Sequence, residues 1–276
     1  MRGGAVAEAA LYVAAAVLFA LGRDGGSGGA FAPASKAEGA LRVVTWNVGG
    51  AGGAAGRPLD DADVPAVAAA LRELSPDLVV LQEVGSRGQV HRLVEALGDG
   101  GWRSVLGRGG GRRLAAVSRG GNLDTFWTGD RDVLGLTLDL DRFAAIAVVG
   151  VHADAWSSSD RNATVGAAVD LLLERSAPGG RLLLGDLNLD VDVDKRRDLF
   201  SDDAHLDVET YNYAATRLVD TTRGTGATAE PDRRLDYVFA DRRLRAVAGG
   251  AWKGRRVGAM DHDPVVVDLL PANGGR

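Results

Sequence analysis

The stretch from Arg181 to Asp190 constrains the fold more than any other part of the chain. It reads Arg-Leu-Leu-Leu-Gly-Asp-Leu-Asn-Leu-Asp, so an apolar run reaches Gly185 and then presents Asp186 and Asn188. Three consecutive leucines are too few for an independent helix and are typical of a strand covered on both faces. Gly185 lets the chain leave the sheet or lets a ligand approach the backbone. In extended chain the two polar side chains point to one side, although a polar turn after a strand is an equally ordinary interpretation.

The same pattern, an apolar run that closes with a polar side chain, recurs along the chain. It predicts strands at residues 41–48, 78–83, 143–151, 234–240 and 265–269, with further strands at 114–118 and 133–140. Helices are predicted at 64–74, 89–97 and 162–175, the last capped by Asp160, and residues 198–230 are predicted to be a polar surface excursion. Polar residues close or adjoin the strands, namely Asn47, Glu83, His152, Asp186, Asn188, Asp236, Asp261 and His262. In layered α/β proteins functional sites assemble at strand ends, so we expect these side chains to converge.

Composition narrows the chemistry. The chain has 276 residues, 46% of them hydrophobic, which is enough for one large core and favours a single folded domain. Cysteine is absent, which excludes thiolate catalysis and cysteine-bound zinc. Any metal is therefore held by oxygen or imidazole, which favours Mg²⁺, Mn²⁺ or Ca²⁺. The net charge of −5 argues against unspecific capture of a polyanion by the whole surface.

Three familiar motifs fail on inspection. A glycine-rich run at 50–55 follows the first strand, but Pro58 and Pro65 separate it from the next helix, whereas dinucleotide-binding glycines open the helix directly. No glycine-lysine-serine or glycine-lysine-threonine sequence marks a P-loop. The run that begins at Asp190 resembles a calcium loop, but Lys195 and Ser201 stand where that loop needs glycine and glutamate. We interpret it as a solvated turn.

The first 22 residues predict export. Arg2 precedes an apolar run at 9–21, which suits a signal peptide or an uncleaved membrane anchor, with a buried amino-terminal helix as the third alternative. Residues 23–40 are predicted to be a flexible linker and residues 271–276 a disordered tail. We therefore expect residues 41–270 to form the functional domain, outside the cytoplasm, either secreted or attached to the membrane.

Taken together, the motifs resemble the endonuclease/exonuclease/phosphatase superfamily. The resemblance rests on six segments in the family's order across residues 41–270. These are Thr-Trp-Asn47, Pro-Asp-Leu-Val-Val-Leu-Gln-Glu83, Val-His152, Gly-Asp186-Leu-Asn188, Arg-Leu-Asp236-Tyr and Asp261-His262-Asp-Pro-Val. Val151 and Met260 depart from the family pattern, where threonine and serine are usual. The resemblance implies an α/β fold of two β-sheets packed face to face with flanking helices, a four-layer sandwich.

The resemblance also implies roles for the polar residues. Glu83 resembles the principal Mg²⁺ ligand, with Asn47 close to metal and phosphate and Asp261 as a further metal contact. Asp186 resembles the residue that orients or deprotonates the attacking water, and Asn188 the one that holds that water or a phosphoryl oxygen. His262 is expected to face the phosphate, its ring held by Asp236, while His152 protonates or stabilises the leaving oxygen.

The function implied is metal-dependent hydrolysis of a phosphodiester by a monomer. The substrate class stays open between a nucleic acid and a lipid head group, with a phosphomonoesterase acting on inositol phosphates and a non-catalytic phosphate-binding module as alternatives. A membrane contact through the amino-terminal segment is a further expectation. Arg119 is the weak substrate-binding candidate among several arginines that we interpret mainly as rim charges: Arg112, Arg113, Arg119, Arg233, Arg234, Arg255 and Arg256.

Overall fold

The computed structural model describes residues 35–50, 57–127, 129–191 and 206–272. Its strands are β1 (Leu41–Asn47), β2 (Leu78–Val84), β3 (Trp102–Leu106), β4 (Arg113–Arg119), β5 (Asn122–Trp127), β6 (Val133–Leu140), β7 (Phe143–His152), β8 (Gly180–Asp186), β9 (Val219–Asp220), β10 (Asp236–Ala240), β11 (Leu244–Ala251) and β12 (Val265–Pro271). The helices within these residues are α1 (Val64–Leu74), α2 (Arg87–Leu97), α3 (Ser158–Glu174) and α4 (Leu206–Ala215).

The strands form two six-stranded sheets. The first has the order β11-β12-β1-β2-β4-β3 and the second the order β5-β6-β7-β8-β10-β9. In each sheet one central pair is parallel, β1 with β2 and β7 with β8, and each pair is joined through a helix. The polar residues that follow the apolar runs of these four strands therefore arrive at neighbouring strand ends.

Hydrophobic residues fill three interfaces between four layers. Between the sheets lies a core that includes Val80, Val148 and Leu184. The other face of the first sheet packs against α1 and α2, and the other face of the second packs against α3 and α4. Both central strand pairs are thus covered on both faces, which is why their sequences read as unbroken apolar runs. The expected four-layer α/β sandwich is confirmed.

Several predicted boundaries were wrong. Helix α3 begins at Ser158, and its cap is Ser157, whose hydroxyl oxygen accepts from the backbone N–H of Asp160, so Asp160 is not the cap. The polar excursion contains α4 and the short strand β9. Strand β12 runs to Pro271, while residues 273–276 of the predicted tail lie outside the described residues.

The amino-terminal predictions concern residues that lie almost entirely before the first described residue, Ser35. The signal or anchor segment, residues 1–22, and most of the linker lie outside the described residues. Within the last part of the linker, the Lys36 ammonium contacts the Asp77 carboxylate. In the part of the chain that the structure describes, no helix is long and apolar enough to cross a membrane.

Candidate active site

The second sheet aligns three of the predicted residues in one row. His152 at the end of β7 is in register with Asp186 at the end of β8, which is in register with Asp236 at the start of β10. Directly paired residues on neighbouring strands present their side chains to the same face, and the strands lie about 4.8 Å apart. Regular strand pairing therefore brings an imidazole and two carboxylates together.

The first sheet supplies Asn47 and Glu83 through a less regular backbone. Strand pairing between β2 and β4 is interrupted by a register shift between Leu81 and Val84, and Glu83 within it has a φ of 62°. A positive φ is uncommon for a residue with a side chain and occurs where the surroundings enforce it. The redirected side chain of Glu83 fits against Gly49 because Gly49 has no side chain: a Cβ there would lie 1.9 Å from Glu83 Oε2. The irregularity thus turns a buried carboxylate into the site.

Asn47 joins the two sheets across the site. Its side-chain Nδ2 donates to Glu83 Oε1 at 3.2 Å and to Asp186 Oδ2 at 3.0 Å, while its Oδ1 accepts from the backbone N–H of Gly49 at 3.0 Å. In this arrangement Asn47 is a donor to two carboxylates, and its oxygen is already hydrogen-bonded. The geometry gives it a clamping role beside the expected contact with metal.

His262 is held as a cation. Its Nδ1 lies 2.8 Å from Asp236 Oδ2, and its Nε2 lies 3.8 Å from Asp186 Oδ2. Burial by itself lowers the pKa of His262, but the carboxylates of Asp236 and Asp186 outweigh it and raise that pKa to about 10. The backbone carbonyl of His262 accepts from the indole N–H of Trp46 at 3.1 Å, which fixes the loop that carries the ring. The expected His262–Asp236 pair is therefore present.

Thr228 completes this pair and was missed by the sequence analysis. Its hydroxyl donates to Asp236 Oδ2 at 2.6 Å, and its oxygen accepts from the backbone N–H groups of Leu235 and Asp236. The hydroxyl holds the carboxylate that orients His262. Thr228 lies in an irregular segment of alternating Gly, Ala and Thr, so no periodicity or motif marks it.

The second histidine, His152, is neutral where His262 is cationic. Burial, with the nearby positive charge of Arg112 and of His262, lowers the pKa of His152 to about 4, against the opposing effect of Asp186. His152 is thus neutral at pH 7. Its Nε2 lies 3.5 Å from Glu83 Oε1 and 3.8 Å from Asp186 Oδ2. Of its two expected roles, this charge state favours stabilising the leaving oxygen over protonating it.

Asp186 has the surroundings of a general base. Burial raises the pKa of its carboxyl above the ordinary value, with His262, His152 and Asn47 opposing that rise. A carboxylate whose pKa is raised towards neutrality accepts a proton more readily. Its other oxygen, Oδ1, accepts from the backbone N–H of Asn188 at 3.0 Å, which fixes its orientation.

Asn188 and Asp261 flank this centre. Asn188 has a φ of 51°, which asparagine tolerates, and its Nδ2 donates to the carbonyl of Ala153 at 3.0 Å. It thereby ties the end of β8 to the segment after His152. Asp261 Oδ1 lies 4.0 Å from His262 Nε2, and the Asp261 side chain is 34% exposed. Asp261 is therefore the more open carboxylate of the site.

Gly185 is not the point at which the chain leaves the sheet, which corrects one of the two roles expected from the sequence. It stays within the sheet, paired with Val151 on β7 and Tyr237 on β10. A Cβ at this position would lie 1.9 Å from the carbonyl oxygen of Val151. The missing side chain therefore serves close strand packing directly beside the row of functional residues.

Arg119 is not brought to the site, which corrects its placement as a substrate contact. Strand β4 runs antiparallel to β2, so Arg113 pairs near Glu83 and Arg119 lies at the other end, where its backbone N–H bonds to Asp77. Six residues of strand span about 20 Å. Arg112, by contrast, contacts the Glu83 carboxylate with its guanidinium.

The other arginines pair with carboxylates away from this row. Arg233 binds Asp190, Arg234 binds Asp220, Arg255 binds Glu73, and Arg256 binds Asp263 and Glu230. Among them only the Arg255–Glu73 pair is exposed on both sides and contributes little to stability, whereas Asp190, Asp220 and Asp263 are buried carboxylates. All of these pairs reduce the positive charge offered to a polyanion. The interpretation as a rim charge fits Arg255, whereas Arg233, Arg234 and Arg256 neutralise buried carboxylates.

The donor set fits a hard divalent cation. Asp186, Asp236 and His262 place one ligand atom each within 4.8 Å of one another. Asp236 Oδ2 is bonded by Thr228 and His262, whereas the buried Asp236 Oδ1 has no hydrogen-bond partner among the described residues and remains available as a metal ligand. A protonated His262 has no lone pair for a metal, so His262 itself suits proton chemistry better. Glu83 and Asp186 share the Asn47 donor and so lie close together, and both present the oxygen atoms that Mg²⁺ prefers. Glu83 is accordingly the stronger metal candidate.

A model of the Endonuclease/Exonuclease/phosphatase family matches residues 44–255, which is more than half of the chain. The chain belongs to this family. The family includes nucleases, phosphodiesterases and phosphatases, and its enzymes are generally hydrolytic phosphoesterases that depend on a divalent metal. The resemblance inferred from six short segments is thereby confirmed.

Solved structures of the Endonuclease/Exonuclease/phosphatase family resemble the chain over most of its length. An endonuclease/exonuclease/phosphatase from Beutenbergia cavernae is 27% identical, with a TM-score of 0.61 over 86% of this chain and 72% of that one. The human Nocturnin catalytic domain with bound sulfate is 16% identical, with a TM-score of 0.62 over 86% and 96%. D. rerio TDP2 with single-strand DNA product is 15% identical, with a TM-score of 0.59 over 84% and 99%. No curated protein matches the chain.

Proposed function

We propose that this chain is a divalent-metal-dependent phosphodiesterase. The observation that carries the proposal is the cationic His262, held by Asp236, beside the Asp186 carboxylate and opposite Glu83. Hydrolysis of a phosphate ester needs a base for water, positive charge at the phosphoryl oxygens and support for the leaving oxygen. Asp186 offers the base, His262 offers the positive charge, and His152 offers the support for the leaving oxygen.

Asp186 takes the proton from the attacking water. The water oxygen then forms a bond to phosphorus while the bond to the leaving oxygen breaks. Asp186 is held for this by the backbone N–H of Asn188 on one oxygen and by the Asn47 amide on the other, so its orientation is fixed before the substrate arrives. Fixed donors and acceptors of this kind need no reorganisation at the moment of reaction.

His262 stabilises the negative charge of the phosphoryl group. His152 donates an N–H hydrogen bond to the leaving oxygen, which takes its proton from solvent. The pKa of about 10 keeps His262 protonated at neutral pH, and the pKa of about 4 keeps His152 neutral. A divalent cation held by Glu83, with Asp261 as a further contact, supplies Lewis-acid polarisation of a phosphoryl oxygen when it is bound.

The decisive experiment combines chelation with a double-mutant cycle. We expect hydrolysis of bis-p-nitrophenyl phosphate to stop after exhaustive chelation and to return with Mg²⁺ or Mn²⁺. His262→Ala and Asp236→Asn should each lower kcat by about a hundredfold or more. Since they act as one unit, the double variant should be little worse than the worse single variant. Full activity after chelation, or an unchanged kcat in His262→Ala, would refute the proposal.

The substrate class is separated by a panel of plasmid DNA, RNA, sphingomyelin, phosphoinositides and a phosphomonoester, each with Mg²⁺ and with chelator. A non-catalytic binding module would retain affinity for phosphate esters and hydrolyse none of them. A phosphomonoesterase would release phosphate from the monoester and leave diesters intact.

We further propose that the domain is exported, on the basis of Arg2 and the apolar run at residues 9–21. Fractionation of cells that express the full chain should recover it outside the cytoplasm or with the membrane. Recovery from the cytoplasm alone would contradict export. A truncation that starts at Ser35 keeps the Lys36 contact with Asp77 and should give a folded domain with full activity.

A further inference from the structure

Arg112 occupies the oxygen of Glu83 that faces the site. It is the last residue of the loop at 107–112 between β3 and β4, and its guanidinium Nη2 contacts Glu83 Oε1. The Arg112 side chain is 40% exposed, whereas the Glu83 side chain is 6% exposed. The guanidinium therefore reaches from the rim of the site onto a buried carboxylate.

That oxygen is crowded with donors. Besides Arg112 it accepts from Asn47 Nδ2 at 3.2 Å and lies 3.5 Å from His152 Nε2. Asn47 is an uncharged donor, whereas the guanidinium of Arg112 brings a full positive charge to this oxygen. A guanidinium and a divalent ion repel each other when both lie on one carboxylate oxygen. A metal that binds Glu83 Oε1 must therefore displace Arg112.

The loop allows such an exchange. Four of its six residues are glycine, and Gly109 and Gly111 have φ values of 116° and 72°. Gly109 packs closely against Arg131, since a Cβ there would lie 2.8 Å from the Arg131 Cβ. The loop tip thus packs against the β5–β6 connection, and the exchange requires the partly exposed end of the Arg112 side chain to move rather than the loop.

We propose that Arg112 is an exchangeable guanidinium, which neutralises Glu83 before the metal binds and binds a phosphoryl oxygen of the substrate afterwards. The planar guanidinium matches phosphate as well as carboxylate, so it exchanges one anion for another. Arg112 is then a substrate-positioning residue whose release is coupled to metal binding. The second half of this inference rests on the phosphodiesterase function proposed above, whereas the first half concerns metal affinity alone.

The test is a calorimetric titration in which MnCl₂ alone is added to the protein and the heat of binding is measured. Arg112→Gln should bind Mn²⁺ about tenfold more tightly than the wild type, because no internal cation has to be displaced. Arg112→Lys keeps a positive charge and should stay close to the wild type. Arg108→Gln is the matched control, an exposed arginine in the same loop, and should change nothing. Circular dichroism checks that each variant is folded.

Phosphate supplies the second arm. Inorganic phosphate should tighten Mn²⁺ binding in the wild type, since it captures the released guanidinium, and should do so less in Arg112→Gln. With bis-p-nitrophenyl phosphate, Arg112→Gln and Arg112→Lys should both raise KM about tenfold, with a smaller change in kcat.

Equal or weaker Mn²⁺ binding by Arg112→Gln would overturn the exchange. An unchanged KM, with tighter metal binding, would overturn the substrate contact and leave Arg112 as a competitor of the metal. The calorimetric arm does not depend on turnover. A wild-type protein that hydrolyses no ester but shows the Arg112 effect would therefore refute the phosphodiesterase proposal and support displacement of Arg112 by the metal.

Discussion

The two ends of the first sheet bury the same residue types and use them differently. At the end opposite the site, Asp77 contacts Lys36 and Arg142 and accepts from the backbone N–H of Arg42 at 2.8 Å. Asp268 accepts from Arg42 Nε at 2.7 Å and Nη2 at 2.8 Å. Three cations there surround two carboxylates, so each buried carboxylate has at least one cation partner. We name the cluster of Lys36, Arg42, Asp77, Arg142 and Asp268 the balanced end.

The catalytic end, about 20 Å away along β2, carries a surplus of negative charge. Three buried carboxylates, those of Glu83, Asp186 and Asp236, meet the cations of His262 and Arg112. His152 adds no charge at neutral pH. Burial of a carboxylate is costly unless a cation matches it. A strand-end aspartate therefore indicates structure where its charge is matched and a cation-dependent site where it is not.

The largest effect is expected from Asp186→Asn at the catalytic end. The amide keeps the shape but cannot accept a proton, so kcat should fall by about 10²–10⁴-fold. The free energy of unfolding should stay the same or rise, because burial disfavours the charged carboxylate. Steady-state kinetics and urea denaturation measure both quantities. A large loss of stability with little loss of kcat would show that Asp186 has a structural role and not a catalytic one.

Arg42→Met at the balanced end should have the opposite outcome. It leaves the Asp268 carboxylate buried without its two-pronged partner, which costs about 3–5 kcal/mol of unfolding free energy. Per folded molecule, kcat and KM should match the wild type. Urea denaturation and kinetics below the transition test this, with Arg142→Met, a 46% exposed partner, as the milder control. A stability loss no larger than that of Arg142→Met would show that the ends are not different.

The His262–Asp236 pair gives a pH test. Because the folded-state pKa of His262 is raised to about 10 from 6.5, the ion pair stabilises the fold fully below pH 6.5, and this stabilisation is lost as the pH rises through 10. In Asp236→Asn the pKa of His262 should fall, so the alkaline limb of the pH profile of kcat should shift to lower pH by at least about one unit. A shift of one unit corresponds to about 1.36 kcal/mol of lost interaction between the two side chains. An identical alkaline limb in both proteins would contradict the pairing.

The effect of His152 on the pH dependence of stability is opposite to that of His262. Its pKa is lowered to about 4, so the neutral ring contributes stability that is present above pH 6.5 and is lost as the pH falls from 6.5 towards 4. The acid limb of the unfolding free energy should accordingly be shallower in His152→Gln, which carries no titrating ring.

Glu83→Gln is expected to have the smallest effect on the fold. Mn²⁺ affinity should fall at least about tenfold, while the free energy of unfolding changes by about 1 kcal/mol or less, because a surplus negative charge is removed. Arg112 is 40% exposed and gains water in place of the carboxylate. Calorimetric titration and urea denaturation separate the two quantities. Unchanged Mn²⁺ affinity would exclude Glu83 as the metal ligand.

The central strands were predictable from the sequence, whereas the edge strands were not. β1, β2, β7, β8, β10 and β12 are covered on both faces and read as apolar runs. The four missed strands, β3, β5, β9 and β11, all lie at sheet edges, where fewer residues are buried and pairing with a distant strand decides the conformation. Helix α4 was missed because its sequence is polar and weakly periodic.

The residues of the candidate site likewise divide into those that could be predicted from the sequence and those that could not. Residues in regular strands, such as His152 and Asp186, could be assigned because the strand end places them. Glu83's left-handed backbone, the Thr228 hydroxyl and the Arg112 contact come from loops and from a β-bulge, where no period applies. Arg119 was misplaced because strand direction, which depends on pairing, decides to which end of the sandwich a residue belongs.

Gly185 gives the active site a limit on redesign. The spacing between His152 and Asp186 follows from how closely β7 approaches β8, and that approach depends on a position with no side chain at all. Any larger residue there would wedge the two strands apart one residue below the catalytic row and shift both side chains together. An engineer who varies only the residues that meet the substrate would keep this spacing unchanged. The spacing of the site is thus set by the missing side chain of Gly185, a residue that lies beside the row of functional residues and not in it.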